Sequence, residues 1–136
     1  MNAARALSGA GLDTDQVRLA LHPIHPESVN LYPAGPLLRA IWAEGVKGMT
    51  LWRWVFIDPG VFEGSPVPLG RLTLHELVHL RQISELGWRR FLSNYLRDYL
   101  RGRLGGHGHQ EAYRQIGLER EAREVTARLA PPSVSK

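Results

Sequence analysis

Three residues in the run His75-Glu76-Leu77-Val78-His79 have the types and the spacing for metal chemistry. A helix turns about 100° per residue, so positions four apart lie about 40° apart on one face. Two imidazoles placed this way can converge on one ion, as tetrahedral zinc requires. Glu76 points beside such an ion rather than at it. A carboxylate there can take a proton from a water that the ion activates. The spacing therefore offers two ligands, His75 and His79, and a general base, Glu76. Leu72, Leu74, Leu77, Val78, Leu80, Ile83 and Leu86 cover most of the helix circumference, which predicts a buried helix. Buried imidazoles and carboxylates need partners, and a metal satisfies all three groups at once.

A catalytic zinc site needs a third protein ligand, with water in the fourth position. No third histidine follows on the same helix, and the chain has no cysteine, so the donor must be another histidine or a carboxylate. His107 and His109 lie in a glycine-rich segment and are candidates. His22 and His25 lie in a proline-rich one and are weaker candidates. The last helix offers Glu119, Glu121 and Glu124. Its apolar stripe runs through Leu118, Ala122, Val125 and Leu129, with Glu119 and Glu121 on opposite edges, and periodicity does not choose between them.

The stretch from Met49 to about Leu129 resembles the gluzincin metallopeptidases. In that family one helix carries HExxH. A second supplies a zinc-binding glutamate, often followed three residues later by a small residue. Glu119-Arg120-Glu121-Ala122 fits this pattern. The resemblance implies Glu119 as the third ligand, Ala122 as the small residue that lets the helices approach, and Glu121 as the fallback. Arg123 stands where an aspartate is frequent. A closer likeness is to short bacterial domains related to the injection-system core metallopeptidase domain, which show a strand, then HELxHxxQ, then ExEA. Here these are Met49 to Ile57, His75 to Gln82, and Glu119 to Ala122.

The resemblance implies a zinc-dependent metallopeptidase acting on a peptide or protein substrate, with Zn2+ as cofactor. It also implies an edge strand near 49–57 bordering a shallow groove. A tyrosine or histidine would stabilise the oxyanion: Tyr113 or His109 by their position shortly before Glu119, with Tyr95, Tyr99 and His107 behind them. The alternative reading is a zinc-containing protein-interaction module with vestigial or no peptidase activity.

Periodicity and chain breakers give the elements that must position these groups. Residues 1–15 are small and polar and read as frayed. Val17 to Leu21 alternates weakly, as a strand. His22 to Pro36 carries four prolines and reads as loop, and Leu37 to Gly45 as a short helix. Met49 to Ile57 is the best strand, rich in β-formers, with Asp58-Pro59-Gly60 as the turn after it. Three helices are then predicted: Leu72 to Leu86 stopped by Gly87, Trp88 to Leu104, and Gln110 to Leu129. Glycines at 102, 105, 106 and 108 form the break between the last two. Trp52, Trp54 and Trp88 are expected in the core. The reading is α+β, a small N-terminal sheet followed by three helices, in one zincin-like domain over 1–136 with 131–136 flexible.

The formal net charge is +4, and arginine supplies most of the positive groups. These arginines are scattered and interleaved with glutamates, so a solvated, ion-paired surface is expected rather than a nucleic-acid site. No segment approaches a membrane span, and the first residues lack a signal-like apolar run; the expected location is the cytoplasm. Nothing in the sequence specifies an oligomer.

Overall fold

The computed structural model describes residues 1–41, 47–51 and 54–130. Its described residues form an α+β fold, mostly helical, with one small mixed sheet. The first helix, α1 (Ala3–Gly9), begins where the Asn2 side chain accepts from the Arg5 amide at 2.9 Å. It buries Ala3, Ala6 and Leu7, so the expected fraying of 1–15 is corrected: three small or apolar residues on one face meet the core. Helix α2 (Thr14–Ala20) replaces the expected strand at Val17–Leu21. Asp13 caps it by accepting from the Asp15 and Gln16 amides, and Val17 and Leu21, four apart, both face inward. Local capping chemistry outweighs a weak alternation here.

The proline-rich stretch is more ordered than a loop. It holds a cis His22-Pro23 bond, a 3-10 turn at Pro26–Ser28 and strand β1 (Asn30–Pro33). Helix α3 (Pro36–Ile41) covers the first part of the helix expected at 37–45, whose remainder lies outside the described residues. The single strand expected over 49–57 is two, β2 (Gly48–Leu51) and β3 (Trp54–Ile57), paired antiparallel. β3 also pairs in parallel with β1, giving the order β1-β3-β2, so β2 lies at a sheet edge and β3 at the centre. Alternation along β3 buries Val55 and Ile57 and leaves Trp54 half exposed, which corrects its assignment to the core. Trp88 is half buried, and Trp52 lies outside the described residues.

After a short α4 (Pro59–Phe62), α5 runs from Pro66 to Leu86, six residues earlier than expected. Prolines do not stop it, because they sit in its first turn, where their missing N–H has no helical partner to lose. Gly87, at φ +81°, ends it and starts α6 (Trp88–Leu104). The last expected helix is broken into α7 (His109–Arg114) and α8 (Gly117–Leu129). Asp98 of α6 causes the restart by accepting from the Gly117 amide at 3.1 Å, a cap supplied from a distant element.

α5 packs against α1, α6, α8 and β2. Its Leu74, Leu77 and Val78 join Leu7, Leu31, Val55, Ile57 and Ala122 in one core. At the α1 crossing a Cβ on Gly70 would collide with Ala10 and lie 3.1 Å from the Ala6 carbonyl, so only glycine permits the approach. The apolar, nearly all-round face read from the sequence is thus a central helix. Among the described residues no helix is long and apolar enough to cross a membrane.

Candidate metal centre

One turn of α5 brings His75 and His79 to the same side, with ring centroids 4.9 Å apart. The ligand atoms of His75, Glu76 and His79 all fall within 4.8 Å of one another. Opposite them the first turn of α8 carries Glu119, 3 % exposed. Its two oxygens meet the two imidazoles: Oε1 lies 3.0 Å from His75 Nε2, and Oε2 lies 3.0 Å from His79 Nε2. Donors about 2.0–2.1 Å from a tetrahedral zinc stand roughly 3.3 Å apart, so this spacing is nearly that of a ligand set. Two imidazole nitrogens and one carboxylate are also a donor set that zinc accepts with a position left open. The residues therefore fit the ion.

The surroundings fix each donor. Gln82, 2 % exposed, sits one turn after His79. Its Nε2 donates to the Leu118 carbonyl at 3.0 Å and to Glu121 Oε1 at 2.6 Å. Two acceptors on the amide nitrogen leave Gln82 Oε1 to face His79 Nδ1, 2.8 Å away. Nδ1 must therefore carry a proton, so that in the neutral ring, the form that can bind a metal, the Nε2 lone pair is directed at the site. Tyr95 of α6 donates its hydroxyl to Glu119 Oε2 at 2.7 Å. β2 holds Glu76: the Thr50 hydroxyl lies 2.9 Å from Glu76 Oε1, and a Cβ on Gly48 would stand only 3.1 Å from Oε2.

The protonation states follow from this packing. Burial opposes charge on Glu119, yet hydrogen bonds and charge from His75 and His79 hold its carboxyl well below the usual range. Burial likewise opposes charge on His79, but the Glu119 hydrogen bond and charge, with Glu76 and Gln82, push it up to about 9. In the metal-free protein His79 and Glu119 thus form an ion pair. Burial, then the Glu119 charge, raise the Tyr95 and Tyr113 hydroxyls, so both remain donors.

A cavity of about 450 Å³ opens beside the cluster and is lined by His75, Glu76, Glu119 and Tyr113, among others. Of the remaining expected site residues, Tyr113 lines this cavity, whereas His109 does not. His109 Nδ1 lies 2.8 Å from the Tyr99 hydroxyl, on the far part of α6, and His107 is exposed elsewhere. Glu121 is exposed and engages Gln82 rather than a histidine. Comparison with protein-family models, with curated proteins and with solved structures gives no match for this chain. The site must therefore speak through its own geometry. Sequence reasoning left Gln82, Thr50 and Gly48 without roles. Gln82 had a signal, one helical turn beyond His79; the two β2 residues had none, being brought to Glu76 only by strand–helix packing.

Proposed function

We propose that this chain is a zinc-dependent metallopeptidase of the gluzincin type, similar to the short bacterial domains related to the injection-system core metallopeptidase domain. The observation that carries the reading is the Glu119 carboxylate, which meets both imidazole Nε2 atoms at 3.0 Å beside a cavity that also holds Glu76. His75, His79 and Glu119 would hold Zn2+. When bound, the ion would supply Lewis acidity, polarising a substrate carbonyl and bringing the pKa of water toward about 7.

The chain's own groups do the rest. Glu76 accepts the proton of the attacking water and delivers it to the leaving amine, which balances the hydrolysis of one peptide bond. Thr50 keeps the Glu76 carboxylate oriented through its 2.9 Å contact. Tyr113, a protonated donor at the cavity wall, stabilises negative charge developing on the carbonyl oxygen. β2 lies at a sheet edge next to α5 and can hold an extended substrate by backbone hydrogen bonds.

The test is metal content together with cleavage of a diverse peptide library by the wild type and by Glu76→Gln. A zinc-loaded wild type should cleave, and Glu76→Gln should keep its zinc and lose the activity. Zinc binding with no cleavage by either protein would sink the peptidase reading and leave the zinc-containing interaction module.

A further inference from the structure

We propose that the cavity selects carboxylate-bearing substrates, that is, peptides with an acidic side chain or a free C-terminus close to the bond that is cut. The proposal rests on the metallopeptidase reading and names its substrate class. Four cationic side chains line the cavity, Lys47, Arg71, Arg114 and Arg123, against two carboxylates, Glu76 and Glu119. Both carboxylates are engaged: Glu119 by the two histidines and Tyr95, Glu76 by Thr50. Among the described residues none of the four cations has a carboxylate within 4.0 Å, although Arg18, Arg39, Arg81 and Arg97 elsewhere on the molecule do.

Two of the guanidiniums are also held in place without being neutralised. Arg71 of α5 donates to the Ala130 carbonyl, and Arg123 of α8 donates to the Arg114 carbonyl. A carbonyl orients a guanidinium but does not cancel its charge, so both stand at the wall as fixed positive groups. Lys47 and Arg114 are exposed at the rim, with no side-chain hydrogen bond among the described residues. Clefts lined by one sign of charge concentrate ligands of the opposite sign. A bound dication would add to the same sign. A nucleic acid is a poorer occupant, because its closely spaced phosphates would face Glu76 and Glu119 within the same cavity.

The test is direct binding, read by fluorescence anisotropy on the full chain with and without zinc. The probes are capped peptides of equal length carrying glutamates or lysines, the same sequence with a free or amidated C-terminus, and a single-stranded oligonucleotide. Glutamate peptides should bind about tenfold more tightly than lysine peptides at low salt, and the gap should close as salt approaches about 0.5 M. The double variant Lys47→Gln/Arg114→Gln removes rim charge without removing a hydrogen bond of the fold. It should weaken glutamate-peptide binding about tenfold and leave lysine peptides no weaker. The C-terminal pair of probes distinguishes the two sources of the carboxylate.

No preference for acid, a preference untouched by the double variant, or equal affinity for the oligonucleotide would overturn the proposal. Acid-selective binding without cleavage would keep it and remove the peptidase reading. Cleavage without acid preference would do the reverse.

Discussion

Three regions of this molecule carry paired histidines, and the contrast is sharpest between the pair on α5 and the pair at the start of α7. His75 and His79 stand on a central helix, packed on several sides, with Glu119 fixed across from them by α8. His107 and His109 stand at a glycine-rich junction, one exposed and the other engaged by the Tyr99 hydroxyl. The residue type is the same, and the spacing in the second pair is even shorter. What differs is support. Packing on α5 restricts the rotamers of the first pair and buries His79, while Gln82 sets the tautomer of His79. Among the described residues no equivalent shell surrounds the second pair. A ligand set needs donors whose directions are held before the ion arrives.

The largest expected effect tests that contrast directly. Glu119→Ala should lower zinc affinity by more than about 100-fold, beyond what loss of a supporting group costs, while His109→Ala leaves it unchanged. Competition with a chelating dye reads both, and equal losses would dissolve the distinction between the regions. Next, Gln82→Ala should cost about tenfold to 100-fold in zinc affinity by freeing the His79 ring. Glu121→Ala should cost less, since it acts only on Gln82; a larger loss than for Glu119→Ala would reverse the ligand assignment.

The third effect is on stability with metal removed. His79 is pushed up from 6.5 to about 9, so its contribution is fully present below pH 6.5 and is lost as pH rises through 9. Glu119 is depressed from 4.5, so its contribution is present above 4.5 and is lost as pH falls toward its lowered value. The shared ion pair therefore stabilises the metal-free protein most between pH 4.5 and 6.5. The swing is on the order of 3 kcal/mol, and urea melts across pH measure it. His109→Ala should retain the profile and Glu119→Gln should flatten it.

The smallest effect concerns the scaffold. Gly70→Ala places a methyl against Ala10 at the α1 crossing and should destabilise by about 1–3 kcal/mol. Gly108→Ala, with open space around it, should change thermal stability little. A reversal would mean that the histidine helix is not held by its close contact with α1.

The α+β class, the long helix around His75 and its stop at Gly87 were legible in the sequence, because they rest on local periodicity and a glycine at positive φ. So was the two histidines' shared face, whereas Glu119 and Tyr113 were singled out by resemblance alone. Misread regions failed where a local signal was weak and a cap or a distant contact decided. Asp13 turned Val17–Leu21 into helix, and Asp98, on another helix, restarted the chain at Gly117. Periodicity did not separate Glu119 from Glu121, which lie two residues apart on one helix; the tertiary structure buries Glu119 against both imidazoles and leaves Glu121 exposed beside Gln82. It alone brought Thr50 and Gly48 to Glu76 and gathered around one cavity four cations that have no carboxylate within 4.0 Å among the described residues. The types and spacings of donors are local properties of a chain. Their convergence is a property of packing between elements far apart in sequence, and there the sequence by itself is silent.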